Sequence, residues 1–415
     1  MHAQFDPEFL VTEKGQEVAA LLKSCVHCGF CLATCPTYQL LGDEQDSPRG
    51  RLYLMKGMWE GQVVSSRTQL HLDRCLTCRA CETTCPSGVQ YGKLLDLARE
   101  QVERQVERPA WQRLLRQGLG HFLSRREWVR LVVGVGRFFR PVLPVALKAR
   151  VPKLPGTQPV WPTLRHTRRM VVLEGCVQPV LAPQINVAAA RVLDRLGITL
   201  ERVQGDGCCG ALHHHLGNHE SAILAAKKNV DVWWPLIKQG VEAIVLTASG
   251  CGSQIKDYGY LLRHEPDYAD KGARVSSLAR DVSEVVASEL GKFEEHAWQD
   301  IRDALGSDIL PVAFQSPCSL QHGQKLKGHV ERLLESLGVV LTPVPESHLC
   351  CGSAGTYSLL QPGIAAQLRQ RKLKSLESGR PMRILTANIG CQEHLAMEAQ
   401  VPVQHWIVWL DEKLS

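Results

Sequence analysis

The sequence predicts an α+β multidomain protein in which a small α-helical unit at the N-terminus precedes two tandem α/β repeats. Eight of the sixteen cysteines lie in two matched runs, "SCVHCGFCLATCP" from residue 24 and "RCLTCRACETTCP" from residue 74. The other eight recur at nearly the same spacing in two later segments that also share strand and helix patterns. A chain of 415 residues has room for about two or three domains with separate cores.

Composition places the chain among globular proteins of a reducing compartment. Hydrophobic residues make up 44% and charged residues 22% of the sequence, which is unlike a disordered chain. The start "MHAQFDPEFLVTEKGQE" has acidic residues and no apolar core, unlike a secretory signal peptide. We therefore expect a cytoplasmic protein, in which clustered cysteines hold metal or carry out redox chemistry more often than they form disulfides.

Both N-terminal runs follow the pattern C-x2-C-x2-C-x3-C-P, which is typical of paired [4Fe-4S] clusters. Three thiolates at two-residue gaps wrap around one cluster, and the fourth binds the other cluster. The predicted ligands are Cys25, Cys28, Cys31 and Cys85 for the first cluster, and Cys75, Cys78, Cys81 and Cys35 for the second. Four-cysteine zinc sites are the alternative, but they pair two C-x2-C motifs and do not need the triple run.

Between the runs, "DSPRGRLYLMKGMWEG" predicts a helix that begins at Ser47 and Pro48. This start places Arg49 and Arg51 either beside an anionic cluster or in solvent, and the sequence leaves both interpretations open.

The remaining cysteines indicate a duplicated domain. Cys176 is followed 32 residues later by Cys208, and Cys318 is followed 32 residues later by Cys350. Each repeat reads as a strand, a helix, a second strand, a Cys-Cys-Gly turn, a helix and a third strand that runs into the last cysteine. Parallel strands would bring all three cysteine positions to one sheet edge.

Two groups of four cysteines are therefore candidates for an additional metal or redox site, with buried structural thiols as the alternative. The first tetrad is Cys176, Cys208, Cys209 and Cys251, and the second tetrad is Cys318, Cys350, Cys351 and Cys391.

These repeats resemble those of heterodisulfide reductase catalytic subunits, of the anaerobic glycerol-3-phosphate dehydrogenase anchor subunit and of glycolate oxidase iron-sulfur subunits. The layout of two ferredoxin-type clusters ahead of two repeats is similar to that of the last two families. The segments "GCCGALHHHLG", "SLQHGQKL" and "SPRGRL" look most like the glycolate oxidase iron-sulfur family.

The resemblance implies an electron-transfer subunit within an oxidoreductase complex of the glycolate dehydrogenase type. A flavin subunit in the same hetero-oligomer would oxidise glycolate to glyoxylate, and electrons would pass through two [4Fe-4S] clusters to a quinone or another acceptor. Since the chain has no Gly-rich dinucleotide fingerprint, we expect neither flavin nor NAD on it, and no catalytic residue of its own.

Two alternatives remain open, the glycerol-3-phosphate dehydrogenase subunit and a heterodisulfide-reductase-like enzyme with its own cluster in the repeats. In heterodisulfide reductases the last cysteine of a repeat belongs to a C-x2-C pair. Here the matching positions read "CGSQ" and "CQEH", so one ligand per repeat is missing, although His394 could replace it in the second repeat.

We predict four regions. They are residues 1–98 with the two-cluster ferredoxin-like domain, 99–169 as an Arg-rich helical and Pro-rich linker, 170–295 as the first Cys-Cys-Gly repeat domain and 296–415 as the second. The linker closes in "RVPKLPGTQPVWP", which is too rich in proline for a helix.

Positive charge is concentrated in this linker, because residues 99–150 hold twelve Arg or Lys against four Glu while the whole chain carries +6. A diffuse nucleic-acid surface is therefore not expected. The segment "RREWVRLVVGVGRFFRPVLPVALKAR" is too charged to span a bilayer. It could contact the cytoplasmic face of the inner membrane peripherally, or it could be a helix clamped between domains or under a partner subunit.

Overall fold

The structure, a computed structural model, describes residues 3–142, 160–292 and 310–414. Its N-terminal helices are α1 (Pro7–Leu10), α2 (Glu13–Lys23), α3 (Pro36–Leu41), α4 (Pro48–Trp59), α5 (Ser66–Asp73), α6 (Ala80–Thr84), α7 (Tyr91–Gln105), α8 (Ala110–Leu123) and α9 (Arg126–Phe139). Leu22, Met55, Leu94 and Leu95 are fully buried between α2, α4 and α7. This apolar core supports both cysteine runs.

Helix α4 begins as predicted. The hydroxyl of Ser47 accepts a hydrogen bond from the N–H of Gly50, and Pro48 occupies the first helical position, where its missing N–H costs nothing. Arg51 on this helix is fully buried, so it is not a solvated helix-start residue. Arg49 is partly exposed and borders a cavity lined by cysteines.

The first repeat is an α/β unit. Its strands are β1 (Arg168–Val172), β2 (Ile198–Arg202), β3 (Ile244–Leu246) and β4 (Ala279–Asp281), all parallel in the order β2-β1-β3-β4. Its helices are α10 (Gln178–Leu181), α11 (Gln184–Arg195), α12 (Ala211–His215), α13 (His219–Lys238), α14 (Ser249–Lys256), α15 (Tyr258–Leu261), α16 (Ala269–Leu278) and α17 (Val282–Leu290). The fourth strand was not predicted, and Cys251 lies in α14 rather than directly at the end of β3.

The second repeat is built on a smaller parallel sheet. Its strands are β5 (Val312–Gln315), β6 (Arg383–Thr386) and β7 (Val403–His405), in that order. Its helices are α18 (His329–Ser336), α19 (Tyr357–Leu360), α20 (Pro362–Glu377), α21 (Ile389–Ala396) and α22 (Trp406–Leu414), with a short π-helical turn at Ser319–Gly323. The predicted second strand is reduced to one bridge between Val312 and Leu341. Pro343 and Pro345 follow closely, and proline cannot donate to a ladder.

The two repeats share one apolar core and meet at the carboxyl ends of their sheets. Leu193 of the first repeat and Trp406 of the second are fully buried in that core. At the sheet edges, the amide of Asn388 donates to the hydroxyl of Ser249 at 3.0 Å, and the Ser249 hydroxyl lies 2.8 Å from that of Ser319. The edges that carry the cysteine loops therefore face each other.

Protonation of His405 is expected to loosen this junction. The buried ring places Nε2 2.9 Å from the carbonyl oxygen of Thr247, and burial lowers the pKa of His405 from 6.5 to about 4. The unfolded chain then binds the proton more tightly, so stability present above pH 6.5 is lost as the pH falls toward 4. We expect a loss of about 3 kcal/mol from this group in urea unfolding. His405→Gln, which keeps a donor but does not titrate, should flatten that part of the profile; equal slopes would contradict the assignment.

The Arg-rich segment is largely helical in the described part. Helix α7 runs through the predicted boundary between residues 98 and 99, and α8 and α9 follow it. The Pro-rich stretch over residues 143–159 and the predicted boundary between 295 and 296 lie outside the described residues. Among the described helices, none has the length and apolar character needed to cross a membrane.

Candidate metal centres

The first cavity is lined by three cysteines of the first run and by the last cysteine of the second. They are Cys25, Cys28, Cys31 and Cys85. The cavity wall includes Leu52 and Val89, and Cys81 also borders it. Thiols that are distant in the sequence thus meet, as the crossed ligand prediction requires; the ligand set itself stays a prediction.

The second cavity has the reciprocal composition. It is lined by Cys35, Cys75, Cys78 and Cys81. Cys35 stands directly before α3 rather than within the helix. Cys85, in contrast, follows α6 and is not followed directly by another helix.

Both loops use the same backbone conformation to aim three thiols at one point. The positive φ angles are 57° at His27 and 82° at Gly29 in the first run, and 55° at Thr77 and 59° at Arg79 in the second. A left-handed conformation costs a non-glycine residue about 1–2 kcal/mol. Strain of this kind persists where the surrounding structure enforces it, typically at functional sites.

The residues of both cavities fit iron-sulfur clusters. Tyr91 borders both cavities, and its buried hydroxyl has no hydrogen-bond partner among the described residues, as expected beside an additional sulfur-containing group. Burial raises the pKa of Cys31 to about 11 and that of Cys78 and Cys81 well above the usual value. These thiols stay protonated at neutral pH, so binding of a metal cation would release protons.

Two buried arginines supply positive charge beside the second cavity. Arg51 donates to the hydroxyl of Thr37 at 3.1 Å, and that hydroxyl lies 3.3 Å from the sulfur of Cys35. Arg99 is 7% exposed and donates to the carbonyl of Cys75 at 2.8 Å. Buried cations of this kind stabilise an anionic group held by thiolates.

The structure brings each tetrad of the repeats together. In the second tetrad, the sulfur atoms of Cys351 and Cys391 are 3.3 Å apart and those of Cys318 and Cys350 are 3.8 Å apart. In the first tetrad, the thiol of Cys208 is within hydrogen-bonding range of both Cys176 and Cys209, and Cys209 is within range of Cys251. Whether either tetrad holds a metal stays a prediction.

The second tetrad adjoins a cavity of the N-terminal unit. Cys78 of the second cavity packs in one apolar cluster with Leu76, Cys318, Cys350 and Tyr357. The hydroxyl of Tyr357 donates to a backbone carbonyl of the N-terminal unit at 3.0 Å, which fixes this contact.

Buried neutral groups hold the backbone of the first tetrad. The buried amide of Asn229 donates to the carbonyl of Cys208 at 3.0 Å, and the buried hydroxyl of Tyr258 donates to the carbonyl of Cys209 at 2.9 Å. The guanidinium of Arg126 also donates to the carbonyl of Gly175 at 3.0 Å, but its charge is paired with the carboxylates of Glu174 and Asp206.

His394 of the second repeat, the candidate replacement ligand, has its Nε2 3.3 Å from the carbonyl oxygen of Ala365. That nitrogen is engaged by the backbone.

Sequence reasoning missed Arg99, Tyr357 and Lys372, which is buried close to the second tetrad. Of these three residues, only Lys372 could have been found from a pattern in the sequence. It lies midway between Leu368 and Leu376 at four-residue intervals on α20, so a charged residue interrupts an apolar helix stripe.

Family models match most of this cysteine-bearing sequence. A 4Fe-4S dicluster domain matches residues 21–89, and a cysteine-rich domain matches residues 170–256 and again 312–396. Both predicted cluster motifs lie within the first match, and both tetrads lie within the second pair.

Similar proteins cover all or nearly all of the chain. The glycolate oxidase iron-sulfur subunit of Escherichia coli (strain K12) is 50% identical over 415 residues, which is all of both chains. A probable glycolate oxidase iron-sulfur subunit of Bacillus subtilis (strain 168) is 29% identical over 89% of this chain and 87% of its own. A fumarate reductase (CoM/CoB) subunit from Methanothermobacter marburgensis is 22% identical over 90% of this chain and 67% of its own. The chain belongs to the family of glycolate oxidase iron-sulfur subunits.

Proposed function

We propose that this chain is the electron-transfer subunit of a complex in which a flavin-containing partner oxidises glycolate to glyoxylate, and that a quinone or another acceptor takes the electrons. The 50% identical relative carries the glycolate oxidase name, which favours glycolate over glycerol 3-phosphate. The proposal depends most on one observation, the two cavities that each gather four thiols from both cysteine runs.

The chain's own residues would hold and shield the redox groups. Cys25, Cys28, Cys31 and Cys85 would hold one [4Fe-4S] cluster, and Cys75, Cys78, Cys81 and Cys35 the other. Such clusters supply one-electron transfer when bound. Tyr91 borders both sites, and Arg51 and Arg99 bring donors and positive charge to the second site, where they would tune the reduction potential of its cluster.

Burial suggests the direction in which electrons travel. Cys28 in the first loop is exposed, and its neighbours Val26 and Phe30 are 66% and 60% exposed. The second loop is covered by the second repeat through Leu76 and Cys78. We therefore place the flavin partner at the first loop, with the second cavity further along the route.

Anaerobic purification with the partner subunits tests the proposal. We expect about eight irons per chain from the two predicted clusters, and electron paramagnetic resonance signals that appear on adding glycolate. Glycerol 3-phosphate should leave the same preparation oxidised. Colourless, iron-poor protein, or clusters that glycolate does not reduce in the presence of the flavin partner, would refute the proposal.

We also propose a peripheral membrane contact through one face of α9. Trp128, Leu131, Val132, Val135 and Phe138 form an exposed stripe at helical spacing, and Phe138 is 78% exposed. The buried Val129 and the ion pair between Arg126 and Glu174 anchor the opposite side. The local excess of arginine complements an anionic lipid surface.

Vesicle binding provides the measurement. Wild-type protein should sediment with vesicles of phosphatidylglycerol, and Phe138→Glu should weaken this binding about tenfold because one large apolar side chain no longer enters the interface. Val63, which is 95% exposed at another surface, offers the matched control Val63→Glu. Absence of wild-type binding, or equal losses in both variants, would exclude this contact.

A further inference from the structure

Lys372 is a buried lysine in the second repeat. It lies on α20, is 2% exposed, and its Nζ donates to the backbone carbonyls of Ser347 at 2.9 Å and Glu346 at 3.3 Å. Lysine is almost never fully buried unless it is paired with an opposite charge. Such burial therefore implies a negatively charged partner for this ammonium group.

No carboxylate of the described residues forms an ion pair with Lys372 within 4.0 Å. The nearby carboxylate of Glu346 instead pairs with the guanidinium of Arg371 and is 39% exposed. Burial lowers the pKa of Lys372, and the charges that oppose this effect are those of the four thiols of the second tetrad. A negative charge on that tetrad would satisfy the buried ammonium group.

The first repeat provides an internal comparison. The glycine after each cysteine pair packs against the next helix at the carbonyl of an alanine, which is Ala222 in the first repeat and Ala365 in the second. Seven residues beyond these alanines stand Asn229 and Lys372. The two repeats therefore place different residues at the same helix position.

This difference changes the charge but not the burial. Asn229 is fully buried, and its neutral amide is satisfied by the carbonyl of Cys208 and the hydroxyl of Tyr258. Lys372 brings a full positive charge to the matching position. Neutral thiols need no counter-charge, whereas a set of thiolates around a metal carries excess negative charge and does.

We propose that the second tetrad holds a thiolate-bound iron centre, that Lys372 is its built-in counter-charge, and that the first tetrad holds no such centre. Cys78 of the second cavity and Cys318 and Cys350 of the second tetrad belong to one apolar cluster, which puts this centre next on the electron route. The inference rests on the electron-transfer role proposed above. Lys372 acts as a positioning residue, because the structure gives it no bond to a thiol.

The test uses the full chain with its partner, purified without oxygen. Cys351→Ser should lose iron beyond the eight of the N-terminal clusters, together with a paramagnetic signal that Cys209→Ser retains. Lys372→Met should shift the midpoint potential of that signal to more negative values, because removal of a positive charge disfavours reduction. It should also weaken iron retention against a chelator 10–100-fold, as loss of outer-shell partners typically does.

Control variants separate charge from folding. Lys374 is exposed on the same helix, so Lys374→Met should leave the potential and the iron retention unchanged. Lys372→Arg should keep the potential, because it keeps the positive charge. Lys372→Asn installs the residue of the first repeat and should shift the potential as Lys372→Met does, so it replaces that variant if methionine disturbs folding.

Three results would overturn the inference: no signal that depends on Cys351, an equal loss in Cys209→Ser, or an unchanged potential in both Lys372→Met and Lys372→Asn. Each of them leaves glycolate-driven reduction of the N-terminal clusters intact, so failure here is distinguishable from failure of the proposed function.

Discussion

The Cys31→Ser variant is expected to contain about four fewer irons per chain and to stop the complex from discharging its flavin. Cys31 lines the first cavity with three other thiols, and serine is a poor ligand for this type of cluster. Glycolate should still reduce the partner's flavin at the normal rate, whereas reoxidation by a quinone analogue should slow about a hundredfold or more, since the first cluster would be the entry point. Stopped-flow absorbance of the flavin measures both steps.

Two further cysteine variants test the crossed ligand assignment. Cys85→Ser should remove the same paramagnetic signal as Cys31→Ser, although the two residues are 54 positions apart. Cys35→Ser, only four positions from Cys31, should remove the other signal because Cys35 lines the second cavity. Full turnover in Cys31→Ser would refute the electron route. Loss of the same paramagnetic signal in Cys31→Ser and in Cys35→Ser would refute the crossed ligand assignment.

The cysteine sites were predictable because short-range spacing determines most of their geometry. Three cysteines at two-residue gaps can turn toward one point only if the residues between them adopt unusual conformations, and His27 and Thr77 do so. The tandem spacing around Cys208 and Cys350 likewise predicts equivalent loops at equivalent sheet edges. Fold class and candidate thiols therefore followed from local pattern and repetition.

Contacts between distant segments were not predictable in this way. The packing of Cys78 against Cys318 depends on how the second repeat docks on the N-terminal unit, and no periodicity in either segment encodes it. The second strand expected near Leu341 failed because adjacent prolines outweighed its β-branched residues. Strand β4 was overlooked since three residues offer too little pattern to detect.

Replacement of Arg51 by methionine should destabilise the N-terminal unit by about 3–5 kcal/mol, as breaking a buried charge pair typically does. Arg51 is fully buried, and its guanidinium donates to the carbonyl of His71 at 2.7 Å, to the hydroxyl of Thr37 at 3.1 Å and to the carboxylate of Asp46 at 3.2 Å. Methionine fills much of the volume but satisfies none of these acceptors. Anaerobic denaturant titration, followed by bleaching of the cluster absorbance, gives the change in midpoint.

Arg49, two residues earlier on the same helix, is the matched control. Its side chain is 33% exposed and pairs with the 45% exposed Glu44, so Arg49→Met should change the unfolding free energy by about 1 kcal/mol or less. Arg51→Met should also lose the second cluster before the first. Thr37, which Arg51 holds, lies against the sulfur of Cys35 in the second cavity. Equal midpoints for the two variants would mean that Asp46 is satisfied by Arg74 and His71 alone, so that the charge of Arg51 is not needed for folding.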